Sequence, residues 1–82
     1  MTQDQPIIVD ARGLNCPLPV LRLRKRLKGL AAGAAVELLA TDRAALRDVP
    51  AFCASHGHVV EHIGQETDGL LRFRLKKSTS AA

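Results

Sequence analysis

The chain is nearly devoid of aromatic side chains: it has no tryptophan, no tyrosine and only two phenylalanines, Phe52 and Phe73, in 82 residues. Proteins that read single-stranded nucleic acid stack bases on aromatic rings, so sequence-specific recognition of that kind is poorly supported. Long apolar runs are missing as well. No stretch approaches the ~18 consecutive apolar residues of a membrane-spanning helix, and the opening Met-Thr-Gln-Asp-Gln has neither the charged nor the apolar region of a signal peptide. These absences point to a cytoplasmic protein with no membrane partner. Cysteine is scarce too: Cys16 and Cys53 allow at most one disulfide, and a reducing cytoplasm argues for two free thiols. Acidic residues are absent from positions 12–35, where Arg12, Arg22, Arg24, Lys25, Arg26 and Lys28 fall. That segment dominates a formal net charge of +4, and its surface should attract an acidic protein face or a phosphate backbone. An ordinary solvated helix face has the same composition.

What remains is globular. With 46% hydrophobic residues, the chain reads as a single domain, 1–82, with an ordered core over about 6–77 and no room for a large cleft. Positions 1–5 and 78–82 lack apolar periodicity and should fray. The β-branched run Ile7, Ile8, Val9, ending at Asp10, predicts a first strand. From Pro17 onward Val20, Leu23, Leu27 and Leu30 recur at helical spacing, with Arg22, Lys25, Arg26 and Gly29 opposite. Gly29 and Gly33 mark the end of that helix, and 35–40 supplies a second strand around Val36, Leu38 and Leu39. Thr41-Asp42 offers an N-cap for a second helix bearing Ala45, Val49, Phe52 and His56 and closed by Gly57. Pro50 predicts a kink or restart within it, with Asp48 helping to cap the second piece. A third strand over 59–65 and a fourth over 70–76 flank the hairpin signal Asp68-Gly69. In the fourth, Leu71, Phe73 and Leu75 alternate with Arg72, Arg74 and Lys76. The order β-α-β-α-β-β predicts an α/β (α+β) two-layer sandwich: a four-stranded mixed sheet with two helices on one face and the alternating arginines on the other.

Chemistry concentrates at Cys16-Pro17-Leu18-Pro19, where turn meets helix. A helix N-terminus favours thiolate over thiol, so Cys16 should be more acidic than a free cysteine. Pro17 suits the first helical position and Pro19 the third, leaving the N–H groups of Leu18 and Val20 for an anion beside Cys16. A dithiol oxidoreductase would need a second cysteine where Pro19 stands. A cysteine that accepts sulfur yet cannot eject it internally must hand it to a thiol on another protein, which is the logic of a carrier. Each half-transfer changes the protein and a partner resets it, so it is not a stand-alone enzyme. Asp10 and Arg12 are candidates for shaping the partner's approach, and Arg22 and Arg26 for steering it. A cysteine hydrolase is weaker, because nothing in the sequence brings His56, His58 or His62 to Cys16. Although His58 and His62 would share one side of a strand, the histidines have no ligand spacing, and no metal is assigned. Cys53, beside Phe52 on the inward helix face, should act as a small hydrophobe dispensable for transfer. The rival readings are a basic nucleic-acid-binding module and a regulatory adaptor without thiol chemistry.

The run Val9-Asp10-Ala11-Arg12-Gly13-Leu14-Asn15-Cys16-Pro17-Leu18-Pro19-Val20 resembles the signature of the TusA (SirA/YhhP-like) family of sulfur carriers, whose hallmark is Cys-Pro-x-Pro. Thr41-Asp42, Arg47-Asp48-Val49-Pro50-Ala51-Phe52-Cys53 and Glu66-Thr67-Asp68-Gly69 are similar to the same family, so the likeness covers nearly the whole chain between its tails. The resemblance implies the same two-layer fold and a persulfide on Cys16, with Asp10, Gly13, Pro17, Leu18 and Pro19 as the surrounding motif and no cofactor. It implies a cysteine desulfurase as donor and a sulfur-relay acceptor protein serving 2-thiolation of the tRNA wobble uridine, with relatives in molybdenum-cofactor synthesis or sulfur oxidation. Direct tRNA binding is not expected, and Cys53 is not the carrier in the family. The first helix is richer in arginine than the family pattern, and 30–35 richer in alanine.

Overall fold

Leu71, Phe73 and Leu75 are buried and Arg74 and Lys76 exposed along the last strand, so the sheet has one covered face and one open face. A computed structural model describes residues 6–78; the expected frayed positions 1–5 and 79–82 lie outside them. The elements are β1 (Ile7–Ala11), α1 (Leu18–Leu27), β2 (Ala35–Ala40), α2 (Ala45–His56), β3 (Val59–Gln65), a single 3-10 turn (Thr67–Gly69) and β4 (Leu71–Lys76). The strands lie in the order β1-β2-β4-β3. β1 and β2 are parallel, joined through α1, while β4 is antiparallel to both β2 and β3. The sheet is therefore mixed, as the element order predicts.

Register aligns the apolar residues in rows. Val9 pairs with Leu38, Leu38 with Phe73 and Phe73 with Ile63, and the neighbouring row runs Ala11, Ala40, Leu71. Onto this face pack Leu23 and Leu27 of α1 and Ala45, Val49 and Cys53 of α2, all buried. Both helices thus share the covered face. On the open face the arginines are not free charges: Arg72 lies 2.8 Å from Glu66 and 3.5 Å from Glu37, and Arg74 lies 3.7 Å from Glu37.

Three local expectations are corrected. α2 runs through Pro50 without a break. A proline removes one intrahelical bond and crowds the preceding turn, but Ala45, Val49 and Cys53 anchor one face of α2 on both sides of it and carry the helix across. α1 ends at Leu27, before Gly29; Gly33, at φ +84°, instead turns the chain into β2. Ser78 is not part of a frayed tail: it is buried, and its N–H donates to His58 Nδ1 at 2.7 Å. The hairpin is built as its residues predict, with Asp68 at φ 67° and Gly69 at φ 77°.

Gly57 closes α2 in the left-handed conformation, φ +79°, with its N–H returned to the Cys53 carbonyl. A Cβ there would stand 3.4 Å from Ser78 Oγ in a backbone region that costs an L-residue roughly 1–2 kcal/mol. Gly57→Ala is expected to lower the unfolding free energy by that amount, seen as a lower urea midpoint with an unchanged slope. A midpoint equal to the wild type would mean that the helix end relaxes into another cap.

Candidate functional site

β1 and β2 end side by side, Ala11 paired with Ala40, and the chain leaves both at the same edge of the sheet. Open α/β sheets place their sites outside the carboxyl ends of parallel strands. Here the two outgoing loops are laced together. Gly13, at φ +79°, donates its N–H to Thr41 Oγ1 at 2.9 Å, and Cys16 N–H donates to Asp42 Oδ2 at 2.6 Å. The other Asp42 oxygen accepts the Ala44 N–H at 3.0 Å, so Asp42 fastens the turn ahead of α2 and the Cys16 turn at once. The predicted N-cap at Thr41-Asp42 is corrected: α2 is capped by Ala44 without a side-chain bond, and Asp42 instead holds the turn that precedes it.

Pro17 is the N-cap of α1, and Leu18 and Pro19 are its first two residues, one position away from the predicted places. The Cys16–Pro17 peptide bond is cis. Leu18 N–H donates to the Asn15 carbonyl at 2.8 Å, so it is not available to an anion beside Cys16 as expected. Pro19 is buried, whereas Leu18 and Leu21 are 47% and 49% exposed. With half-buried Leu14 these two leucines line a shallow recess edged by Arg22 and Lys25, an apolar lip that starts two residues after the thiol.

The Cys16 thiol is exposed and donates to Asp48 Oδ2 at 2.8 Å, while Asp48 Oδ1 accepts from Arg47 Nε at 3.2 Å. Asp48 does not cap a restarted helix; its carboxylate faces the sulfur. This reverses the expected acidity of Cys16, whose pKa lies above the ordinary cysteine value. The hydrogen bond to Asp48 is the main cause, followed by desolvation and the negative charges of Asp48 and Asp42; Arg47 opposes them. The bond to the thiol and then the bond to Arg47 hold Asp48 below the usual carboxylate range. Asp42 is lowered by the N–H groups of Ala44 and Cys16. The net shift is upward and is set first by the Asp48 carboxylate. The upward shift favours the thiol form, whose hydrogen bond runs to the Asp48 carboxylate.

The remaining predicted residues form a neighbouring cluster. Arg12 grips Asp10 through Nε and Nη2, at 2.9 and 2.8 Å, and holds its carboxyl down to about 2. Arg22 donates to the Asp10 carbonyl at 3.1 Å, and Arg26 is exposed on α1. Cys53 is 1% exposed, and burial pushes its thiol up to about 11. His58 lies before β3 beside His56, their rings stacked at 6.2 Å, rather than sharing a strand face with His62. Among the described residues no three His, Cys, Asp or Glu side chains come together as a metal site. Sequence reasoning missed Asp48 and Thr41 as parts of the site. Asp48 lies 32 positions from Cys16, a separation at which spacing carries no signal.

Fold and site define a small two-layer α/β domain that presents one exposed thiol at the start of a helix. The family model described as sulfurtransferase TusA matches residues 7–77. The sulfur carrier protein TusA of Pseudomonas aeruginosa is 38% identical over 78 residues, covering 95% of this chain and 99% of that one. Its counterpart in Pseudomonas putida is 46% identical over 71 residues, 85% of this chain and 86% of the relative. YrkF of Bacillus subtilis is 43% identical over 72 residues, which are 87% of this chain but 38% of that longer protein. The crystal structure of a SirA-like protein from Desulfitobacterium hafniense superposes with a TM-score of 0.78 at 25% identity, covering 88% of this chain and 97% of that one. The chain belongs to the TusA family of sulfur carrier proteins.

Proposed function

We propose that Cys16 is the residue that carries sulfur, taking it as a persulfide from a cysteine desulfurase and passing it to a relay protein in the cytoplasm, for 2-thiolation of the tRNA wobble uridine. The observation that carries this reading is the contrast between the two thiols: Cys16 is exposed, and Cys53 is 1% exposed within the core. The other cysteine, Cys53, is shut in the core, so no exposed second thiol stands by to resolve a mixed disulfide internally. On loading, Cys16 Sγ bonds to the outer sulfur of the donor persulfide and the donor S–S bond breaks. Its electron pair stays on the donor sulfur, which gains the proton that Cys16 gives up. Unloading repeats the exchange with an acceptor thiol, and neither half needs an oxidant or a resident cofactor.

The basic surface supports a docking role better than nucleic-acid binding. Arg72 and Arg74 are already paired with Glu37 and Glu66, which leaves the open sheet face a weak polyanion platform. Incubation with a cysteine desulfurase and cysteine, followed by intact-mass analysis, tests the proposal. Wild type and Cys53→Ala are expected to gain a reducible sulfur atom and Cys16→Ala none. A gain that survives Cys16→Ala would place the carrier elsewhere, and no gain in wild type with an active donor would end the reading.

A further inference from the structure

Persulfide exchange has a proton to manage. Cys16 Sγ must lose its proton as it bonds to the donor's outer sulfur and regain one when the acceptor releases it, and both events occur beside the same carboxylate. Asp48 Oδ2 receives the thiol hydrogen at 2.8 Å, and Arg47 Nε occupies the other carboxylate oxygen. That fixes which oxygen faces the sulfur. The charged groups acting on the thiol are Asp48 and Arg47 of α2 and Asp42 of the loop after β2; the first turn of α1 contributes none. Asp42 is occupied by the backbone N–H groups of Cys16 and Ala44, so Asp48 is the carboxylate in contact with the reacting proton.

From this geometry we infer that Asp48 is a catalytic residue of the carrier, moving one proton between Cys16 Sγ and the partner's sulfur in each half-transfer. The inference rests on Cys16 being the sulfur-bearing residue. In loading, the proton leaves Sγ for Asp48 Oδ2 as the Sγ–S bond forms, and Asp48 then protonates the departing donor thiolate. In unloading, Asp48 takes the acceptor's thiol proton and returns it to Sγ as the Cys16 S–S bond breaks. Atoms and charge balance without a free thiolate standing next to a carboxylate, the arrangement the site disfavours. A bare latch on the thiol would have the opposite kinetic consequence, because removing it would only make Cys16 more reactive.

Asp48→Asn separates the two. The amide keeps the shape but cannot take up and return a proton. Alkylation of Cys16 by iodoacetamide, which needs only the thiolate, is expected to speed up at neutral pH, its pH profile moving to lower pH. Single-turnover sulfur loading from the desulfurase is expected to slow about a hundredfold, at the low end of general acid–base effects. The wild type should display a solvent deuterium isotope effect on loading that Asp48→Asn loses, and Asp48→Glu should recover part of the rate. Loading that accelerates together with alkylation, or that is unchanged in Asp48→Asn, would overturn the inference while leaving Cys16 as carrier. Wild-type protein that takes up no sulfur would overturn the underlying reading instead.

Discussion

Phe73→Ala is expected to bring the domain to the edge of unfolding. Phe73 is fully buried and central in sequence of pairing, opposite Leu38 on β2 and Ile63 on β3. It is also the largest side chain of the core, and the other phenylalanine, Phe52, is only partly buried against that core. Truncating a buried phenylalanine costs roughly 3–5 kcal/mol, since the lost transfer energy is joined by the cavity left behind. A domain of this length has a total stability of only about 4–12 kcal/mol. Thermal unfolding followed by circular dichroism should therefore yield a strongly lowered, broadened transition. A melt within a few degrees of wild type would mean that α1 and α2 settle onto the sheet and fill the gap, contrary to a core organised around this ring.

The second large effect concerns the two thiols. Cys53 is expected to react with an alkylating reagent about a thousandfold or more slowly than Cys16 in native buffer. Its side chain sits between α2 and the sheet, so the reagent reaches it only when the chain opens, and opening of a core position is limited by global unfolding. An unfolding free energy of ~4–5 kcal/mol alone suppresses labelling by about three to four orders of magnitude. In the folded chain its thiol, pushed up to about 11 by burial, supplies almost no reactive thiolate, so labelling runs through the opened chain. Mass-resolved time courses, with and without urea, would measure both rates in one sample. In Phe73→Ala the gap between the thiols should largely close. Comparable rates for Cys16 and Cys53 in folded wild type would remove the contrast on which the choice of Cys16 depends.

The strands were readable because each carries its own pattern. β2 and β3 match their predicted bounds, and β4 starts one residue later and ends as predicted, since apolar alternation and the flanking glycines and Asp68-Gly69 are local signals. The placement of α1 by one residue relative to its prolines, and the continuity of α2 through Pro50, depend on packing that no short window contains. The same distinction governs the site. The Cys-Pro-x-Pro segment marks the exposed thiol, because a cysteine at the start of a helix is visible in consecutive residues. Its acidity was misjudged because Asp42 and Asp48 come from 26 and 32 positions away, brought in by parallel strands that finish together. The helix-terminus argument uses consecutive residues alone, whereas the Asp48 and Asp42 carboxylates act on the thiol across the fold. The arginines of β4 were placed on the correct face, but Glu37, which meets both Arg72 and Arg74, lies on β2 and could be matched to them only through register.

Among the described residues, the two outer strands, β1 and β3, each have one side without a neighbouring strand. Backbone groups left open in this way invite another protein's strand to add on. On β1, Pro6 immediately precedes the strand without an N–H to offer, and the Arg22 guanidinium already occupies the Asp10 carbonyl. On β3 the pairing slips between Val60 and His62, with Glu61 at the irregularity, so its outer ladder is neither straight nor uncharged. A protein whose task requires repeated brief encounters gains from borders that resist lateral growth. With Cys16 as the proposed sulfur-bearing residue, contacts made through its end of the sheet can then come apart again, instead of maturing into a continuous sheet.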